Sequence, residues 1–557
     1  MQNIVAIGRV VGPGEEPGQI KIQTKDNRHS RIGEYILYFP PGEDKEVFAT
    51  ITARKIQRSL PPYFLADPSV EATDIAHALG LEDAVDGIEY ELTANILGYF
   101  DSQLQSFINP RINPDPNTTV YLAPNEKLAP ALFSKEAGQI GSAKIGNLLL
   151  RPELDVVIDV NEMVSTHLAI LAGTGSGKSY LARVLLEELM QPYNRAAIAV
   201  LDPHGEYESL TSICAKKEFQ TGGYKPEVKV VTPGDNLNFV ISDLSWADIR
   251  FLLKDATDKM SHYLETIYDR AFKKARSKKQ NWTYFDLISQ LEEMIEDADA
   301  EGSGLRSTLE ALRWRLEKRF NPKGNRPKIF VDNGGTSLTE LFKPGQCTVV
   351  KLDGVEEEEQ QIIAAILLRK VYEARERAVR DKEEMDPKNA VEYPVFVLFE
   401  EAHRFAPHGD SEGVSTKILK TVLSEGRKFG VGVGLITQRP GKLDQNVLSQ
   451  CMTQFLMRII NPLDQDSVAK GVESAGRELL RELPALSKGQ AIVGGVSLRT
   501  PVLFKVRKSI SEHKGASAKS AEEWLKYFEP RQAQKRELGT ALMGAAKEQP
   551  KDLWEQL

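Results

Sequence analysis

Apolar and polar positions are arranged in two ways along this chain. Over the first 120 residues, short strand-type runs (Asn3–Val11, Gln19–Gln23, Tyr35–Phe39, Glu46–Ala53 and Gly87–Leu97) are separated by Gly and Pro turns such as VGPGEEPG. Many short strands punctuated in this way predict a small β-barrel or sandwich over 1–120. The stretch Ile108–Thr119, INPRINPDPNTT, is rich in Pro and Asn and reads as a linker. From about residue 140 strands alternate with helices, which predicts an α/β domain with a parallel sheet covered by helices. The candidate strands are Leu168–Ala172, Ala196–Leu201, Val228–Thr232, Thr348–Leu352, Val395–Phe399, Gly432–Thr437, Phe455–Ile460, Gln490–Val493 and Val502–Val506.

A strand-poor stretch interrupts that alternation. Segments such as LKDATDKMSHYLETIYDRAFKKAR and LEALRWRLEKRF have apolar residues at i, i+3 and i+4, the spacing of an amphipathic helix. They predict a helical insertion over 246–330 that divides the sheet domain into 140–245 and 331–508, with a polar helical tail over 509–557. Glu356–Ala378 reads as a further helix opening with four glutamates, which suit a solvated helix N-terminus and its dipole.

Composition changes this picture little. With 41% hydrophobic and 27% charged residues the chain is of the soluble globular kind. Its Met1 end lacks a basic stretch followed by an apolar core, and no run approaches the roughly 18 apolar residues of a membrane span. Cys214, Cys347 and Cys451 lie far apart and form neither a CxxC pair nor a disulfide framework, so a reducing cytoplasmic location is the default. A net charge of -8 neither supports nor excludes nucleic acid, because phosphate backbones are bound by local patches or channels. The densest basic run, Lys273–Lys279, reads as a solvated helix face.

The sharpest chemistry is at Ala172–Ser179, AGTGSGKS, between an apolar strand and a helix with Leu181, Val184, Leu185 and Leu189 on one face. Small residues there let successive backbone N–H groups face phosphate oxygens, and the helix N-terminus adds positive potential. Lys178 is placed to reach β- and γ-phosphates and the Ser179 hydroxyl to ligate Mg²⁺. Ala172 departs from the usual leading glycine. Val395–Phe399, five consecutive apolar residues, ends in Glu400 and Glu401, and a carboxylate at the carboxyl end of a buried strand can hold magnesium while its neighbour orients the attacking water. Glu400 is assigned to the metal and Glu401 to the water. Gly432–Thr437 delivers Gln438 to the same edge of the sheet. Arg427, near the end of a helix over Ser415–Phe429, is either a charge on the helix dipole or an arginine finger acting on a neighbouring subunit. His204, His403 and His408 have no Cys or His partners at ligand spacing and read as hydrogen-bonding residues.

Asp202–Tyr207 (DPHGEY), AGTGSGKS, LFEEAH, EGRKFG and LITQRP together resemble the HerA branch of the HerA–FtsK ATPases, and the resemblance covers most of the chain. It implies a RecA-like P-loop core carrying an N-terminal HAS barrel and a helical subdomain. It further implies a homo-hexamer that hydrolyses ATP with Mg²⁺ at subunit interfaces, translocates double-stranded DNA and works with a NurA-like nuclease in DNA end processing and recombinational repair. Carried onto this sequence, the catalytic residues are Lys178, Glu401, Arg427 as the arginine finger and Gln438 as the sensor. The nucleotide-binding run is Gly173, Thr174, Gly175, Ser176, Gly177, Lys178, Ser179 and Tyr180, and the metal residues are Ser179 and Glu400. The family's second trans-acting basic residue is pinned by no motif; Arg151 precedes the core. DNA contacts are expected from loops at the sheet's edge, such as Arg404–Thr416 or Arg439–Leu443. The alternative is a HerA-like ring that organises an antiviral defence effector, and a third reading is a motor for protein or single-stranded DNA.

Overall fold

The structure, a computed structural model, describes residues 4–40, 42, 45–57, 89–300, 305–321, 328–380, 386–409, 413–472, 480–512 and 520–525. Contacts divide the chain into two units, Met1–Ser511 and Glu512–Leu557. In the second, residues 520–525 are helical, and the rest of the expected tail beyond 525 lies outside the described residues.

The first unit opens with strands β1 (Ala6–Pro13), β2 (Gln19–Thr24), β3 (Tyr35–Tyr38), β4 (Val47–Gln57), β5 (Glu89–Asp101), β6 (Ser106–Ile108) and β7 (Thr119–Leu122). They pair in the order β2-β1-β7-β3-β4-β5-β6, and an added β2–β5 pairing closes six of them into a barrel. Closure removes the exposed strand edges that a sheet this small would otherwise present. Alternate residues point inward, so Ile20, Ile22, Ile36, Tyr38, Val47, Ala49, Ile51, Leu92 and Ala94 fill the barrel core. The stretch expected to be a linker, 108–119, connects β6 to β7, and β7 pairs with both β1 and β3.

The second part of this unit is built on β8 (Ser142–Leu148), β9 (Asp155–Asp159), β10 (Leu168–Leu171), β11 (Ile198–Asp202) and β12 (Glu227–Val231), then, beyond the short parallel pair β13 (Phe239–Val240) and β14 (Phe330–Val331), on β15 (Gln346–Lys351), β16 (Val395–Phe399), β17 (Val431–Thr437), β18 (Thr453–Met457), β19 (Gln490–Gly495) and β20 (Val502–Val506). The sheet order is β12-β15-β11-β16-β17-β10-β18-β19-β20-β8-β9. From β12 to β18 every pairing is parallel, as the strand–helix alternation predicts. From β18 to β9 every pairing is antiparallel, a wing the sequence pattern did not announce. Alternation along β10 divides the core: Leu168 and Ile170 pack with Leu181 and Leu185 of the helix Lys178–Leu189, while Ala169 and Leu171 face the layer that includes Ile363, Leu367 and Leu419.

The predicted insertion is helical, with helices Trp246–Leu252, Asp258–Ser277, Tyr284–Ala300 and Arg306–Phe320. Met260, Leu264, Ile267, Ala271 and Ala275 form the buried stripe of the second, and Leu309, Leu312, Leu316 and Phe320 that of the fourth. Ser245 with Asp248 forms a capping box, and Thr257 caps the second helix. Because β13 pairs with β14, the insertion leaves and rejoins the core at adjacent points. Of the glutamates at the start of the helix Glu357–Arg380, Glu356 and Glu357 are exposed, as a solvated start implies, while Glu358 pairs with Lys254, and Glu356 and Glu359 pair with Arg319 at 2.7 and 3.1 Å. They fasten the helix start to the insertion. Among the described residues no helix is long and apolar enough to cross a membrane.

Candidate active site

At the carboxyl edge of the parallel sheet, β10 passes into the loop Ala172–Gly177 and then into the helix Lys178–Leu189. Gly175 and Gly177 adopt φ of +77° and +107°, a region L-residues avoid, and this curls the loop so that its amides converge. Ala172 still belongs to the sheet: its N–H donates to Thr437 O at 3.2 Å and its methyl is buried in the core, which is why an alanine serves at this position. The Ser176 hydroxyl turns back onto Gly173 O at 2.7 Å, bracing the loop from behind. Ser179 is half-buried in the first helical turn. The Tyr180 hydroxyl is engaged elsewhere, accepting from Ser509 N–H at 2.7 Å, so the backbone amide is the part of Tyr180 placed for a ligand of the loop.

β16 is buried along all five residues and lies between β11 and β17. It ends at Glu400, which is fully buried, and Glu401, 2% exposed and held at φ +52°. A left-handed backbone at a glutamate is the kind of strain that recurs where a side chain must be aimed. Lys178 Nζ donates to Glu400 Oε1 and lies 3.1 Å from Glu401 Oε1. The other Glu400 oxygen accepts the Tyr207 hydroxyl at 2.6 Å. Burial pushes the Glu400 carboxyl up to about 7, against the pull of Lys178 and Tyr207 in the other direction. Burial would lower Lys178, but Glu400 and Glu401 outweigh it and hold the ammonium above its ordinary value. Glu401 Oε2 is buried without a hydrogen-bond partner. His403 Nδ1 stands 3.3 Å from it but is hydrogen-bonded to Thr437 Oγ1 at 3.0 Å, and burial keeps that imidazole below its usual range. A buried carboxylate beside a lysine has the chemistry to meet a water or a coordinated ion.

β17 lies between β16 and β10, so Gln438, just past its end, stands between the acidic pair and the loop. Its Oε1 accepts the Thr174 hydroxyl at 3.1 Å. Arg427 is not part of this cluster. It is exposed in the last turn of the helix Val414–Phe429, at the amino end of β17, and roughly 20 Å of strand separates it from the loop. Arg151 is excluded as a free cation: it is 6% exposed, pairs with Glu34 at 2.7 Å and donates to Tyr35 O, Ala123 O and Asn125 Oδ1, tying barrel to core within one chain.

A cleft of about 830 Å³ runs alongside the loop, lined by Gly173–Ser176, Gln438 and the basic residues Arg439, Lys442, Arg458 and Lys488. Arg458 and Lys488 come from turns flanking β18 and β19, where no motif pointed to them. The described parts of the two loops expected at the sheet's edge meet there, with His408 N–H donating to Lys442 O at 2.8 Å and Pro407 bridging Leu443; residues 410–412 of the first loop lie outside the described residues. Asp202, at the end of β11, is also at this edge, and its carboxylate accepts from the His204 and Tyr207 amides.

The family model described as Helicase HerA, central domain, matches residues 143–371. The chain is 31% identical to the probable helicase MJECL08 of Methanocaldococcus jannaschii over 80% of this chain and 85% of that one. It is 30% identical to the DNA double-strand break repair helicase HerA of Pyrococcus furiosus, over 65% of this chain and 69% of that one. Among solved structures, VirB4 of Thermoanaerobacter pseudethanolicus superposes with a TM-score of 0.49 at 14% identity, over 67% of this chain and 98% of that one. Kinship at this identity, over most of the length of the relatives, agrees with the phosphate loop and the acidic strand end: the chain belongs to the HerA helicase family and is an ATP-hydrolysing enzyme.

Proposed function

We propose that this protein is an ATP-driven translocase of double-stranded DNA that works as a homo-hexameric ring in the cytoplasm, with a NurA-like nuclease, in DNA end processing. The observation that carries the enzymatic half is the buried Lys178–Glu400–Glu401 cluster at the mouth of the loop, with one Glu401 oxygen unpaired. The DNA half rests on kinship with relatives named as DNA double-strand break repair helicases.

In this reading the amides of Gly173–Tyr180 hold the ATP phosphates, and Lys178 turns from the two carboxylates to the β- and γ-phosphates. Ser179 and Glu400 hold the magnesium, which when bound neutralises phosphate charge. Glu401, relieved of Lys178, orients the attacking water and accepts its proton, a role supported by its buried Oε2 at the end of the strand. Gln438 contacts the γ-phosphate or the water from the neighbouring strand end. Arg427, too far from its own loop, serves the loop of the next subunit.

The test is the ATPase rate of the full chain with blunt duplex, with single strand and without DNA. Duplex should stimulate most, and Glu401→Gln should lower the rate by about 100-fold or more while ATP still binds. Hydrolysis by Glu401→Gln at the wild-type rate would remove Glu401 from the chemistry, and a rate indifferent to duplex would remove DNA as the track.

A further inference from the structure

The motif Asp202–Tyr207 identifies the family but has no part in the chemistry described above. Its last residue is buried under the site. Tyr207 is fully enclosed, with its ring in the same apolar cluster as Leu181 and Leu185 of the loop helix. Its position is fixed from two sides. The Asp202 carboxylate accepts the Tyr207 amide at 2.9 Å and the His204 amide at 3.2 Å, which folds the chain into a tight loop just past β11. From the loop helix, Arg183 donates to Glu206 O at 2.8 Å, so the carbonyl preceding Tyr207 moves with the phosphate-binding helix. What this scaffold presents is one hydroxyl, aimed at one oxygen of Glu400 at 2.6 Å.

We propose that Tyr207 is a positioning residue for the metal-holding carboxylate: by donating to Glu400 Oε2 it fixes the carboxylate plane so that Oε1 faces the phosphate loop. The two Glu400 oxygens thus have different tasks. Oε1 holds Lys178 in the resting site and is released when the lysine turns to phosphate, whereas Oε2 keeps Tyr207 throughout. Without the hydroxyl, a carboxylate on a side chain with three rotatable bonds loses the partner that defines its rotation, and ordering it for a metal shell costs affinity. The inference rests on the assignment of Glu400 to the metal.

The test uses full-length protein with a non-hydrolysable ATP analogue and Mn²⁺ as the probe, free Mn²⁺ being read by electron paramagnetic resonance. Tyr207→Phe keeps the ring and its packing. It should raise the Mn²⁺ Kd about threefold to tenfold, while binding of a fluorescent nucleotide in EDTA is unchanged. Glu400→Gln should also weaken Mn²⁺, and adding Tyr207→Phe to it should cost nothing further, since the hydroxyl acts only through that carboxylate. Asp202→Asn, which is isosteric and loosens the amide anchor of Tyr207, should shift Kd in the same direction by less, and it carries the test if Tyr207→Phe does not fold. A Tyr207→Phe protein with wild-type Mn²⁺ affinity, or losses that add in the double variant, would overturn the role of Tyr207. Wild-type Mn²⁺ affinity in Glu400→Gln would instead overturn the metal assignment on which that role depends.

Discussion

Arg427 offers the most decisive experiment, because its two readings differ by orders of magnitude. It lies in the last turn of the helix Val414–Phe429, where a cation interacts favourably with the helix dipole for about 0.3–1 kcal/mol. If that is all it does, Arg427→Ala lowers stability by that amount and leaves hydrolysis alone. As an arginine finger it stabilises the charge of the transition state, and its loss should cut kcat about 10³-fold or more, or about 4 kcal/mol of barrier. Geometry adds a stronger condition. β17 runs from Val431 to Thr437 between Arg427 and the edge that carries Gln438, roughly 20 Å at the rise of a strand, well beyond the reach of an arginine side chain. The finger must therefore come from another subunit, and this can be tested by mixing. Arg427→Ala and Lys178→Ala proteins, each inactive alone, should recover hydrolysis when co-assembled in equal amounts. A complete site forms wherever the loop of an Arg427→Ala subunit meets the arginine of a Lys178→Ala subunit, which random mixing in a head-to-tail ring gives at about one interface in four. Steady-state phosphate release, with native mass spectrometry to show that mixed assemblies form, is the assay. Mixed assemblies without recovered activity would refute action in trans, and an Arg427→Ala protein with the wild-type rate would refute the finger altogether.

Two further predictions concern stability. His167 is buried at the root of β10 with its Nδ1 accepting the Val433 amide at 3.1 Å, and burial, against the pull of the Leu423 backbone, lowers its pKa from 6.5 to about 4. The folded state thus refuses a proton that the unfolded chain takes up below pH 6.5, so this residue costs nothing above that pH and about 3 kcal/mol by pH 4; His167→Asn, which keeps an acceptor at the same place and tolerates the φ of +63°, should flatten that acid loss in denaturant titrations between pH 7 and 4. Arg151→Ala would leave the buried Glu34 carboxylate without its counter-charge and should cost about 3–5 kcal/mol in urea unfolding, whereas replacing both partners by apolar residues should recover much of it.

The parts of the molecule visible in the sequence are those whose physics is local in the chain. β10, β11, β16 and β17 are buried on both faces and therefore appear as uninterrupted apolar runs, and the chemistry of a parallel sheet gathers where such runs end. The phosphate loop and the Glu400–Glu401 pair could be located for that reason alone. A barrel or sandwich was legible in the strand runs, but the seal was not, since it is the pairing of β2 with β5 across a long separation in sequence. Of the antiparallel wing, β19 and β20 stand out as strand runs but β8 and β9 do not, because they precede the first strong apolar run. Least visible were single side-chain contacts over long separations. Arg151 has the composition of a free cation and the surroundings of a strut, and Tyr207 meets Glu400 across 193 residues, a distance over which no periodicity speaks.

That contact and the lysine beside it bear on how a nucleotide enters. In the resting site two buried carboxylates share one ammonium, so with both ionised the cluster carries one negative charge more than it can balance. Burial pushes Glu400 up to about 7, against the pull of Lys178 and Tyr207 towards the ionised form. A triphosphate arriving alone would draw Lys178 away and leave its own charges facing Glu400 and Glu401 across a short gap of low dielectric, which is unfavourable on both sides. A triphosphate arriving with a divalent cation does not meet that barrier. If Glu400 holds the metal as proposed, its Oε1, which here accepts from Lys178, would be the oxygen offered to the cation, while its Oε2 would stay with Tyr207. On the proposed assignment of Glu400 to the metal, an acidic pair that disfavours a bare triphosphate would favour one that arrives with its cation.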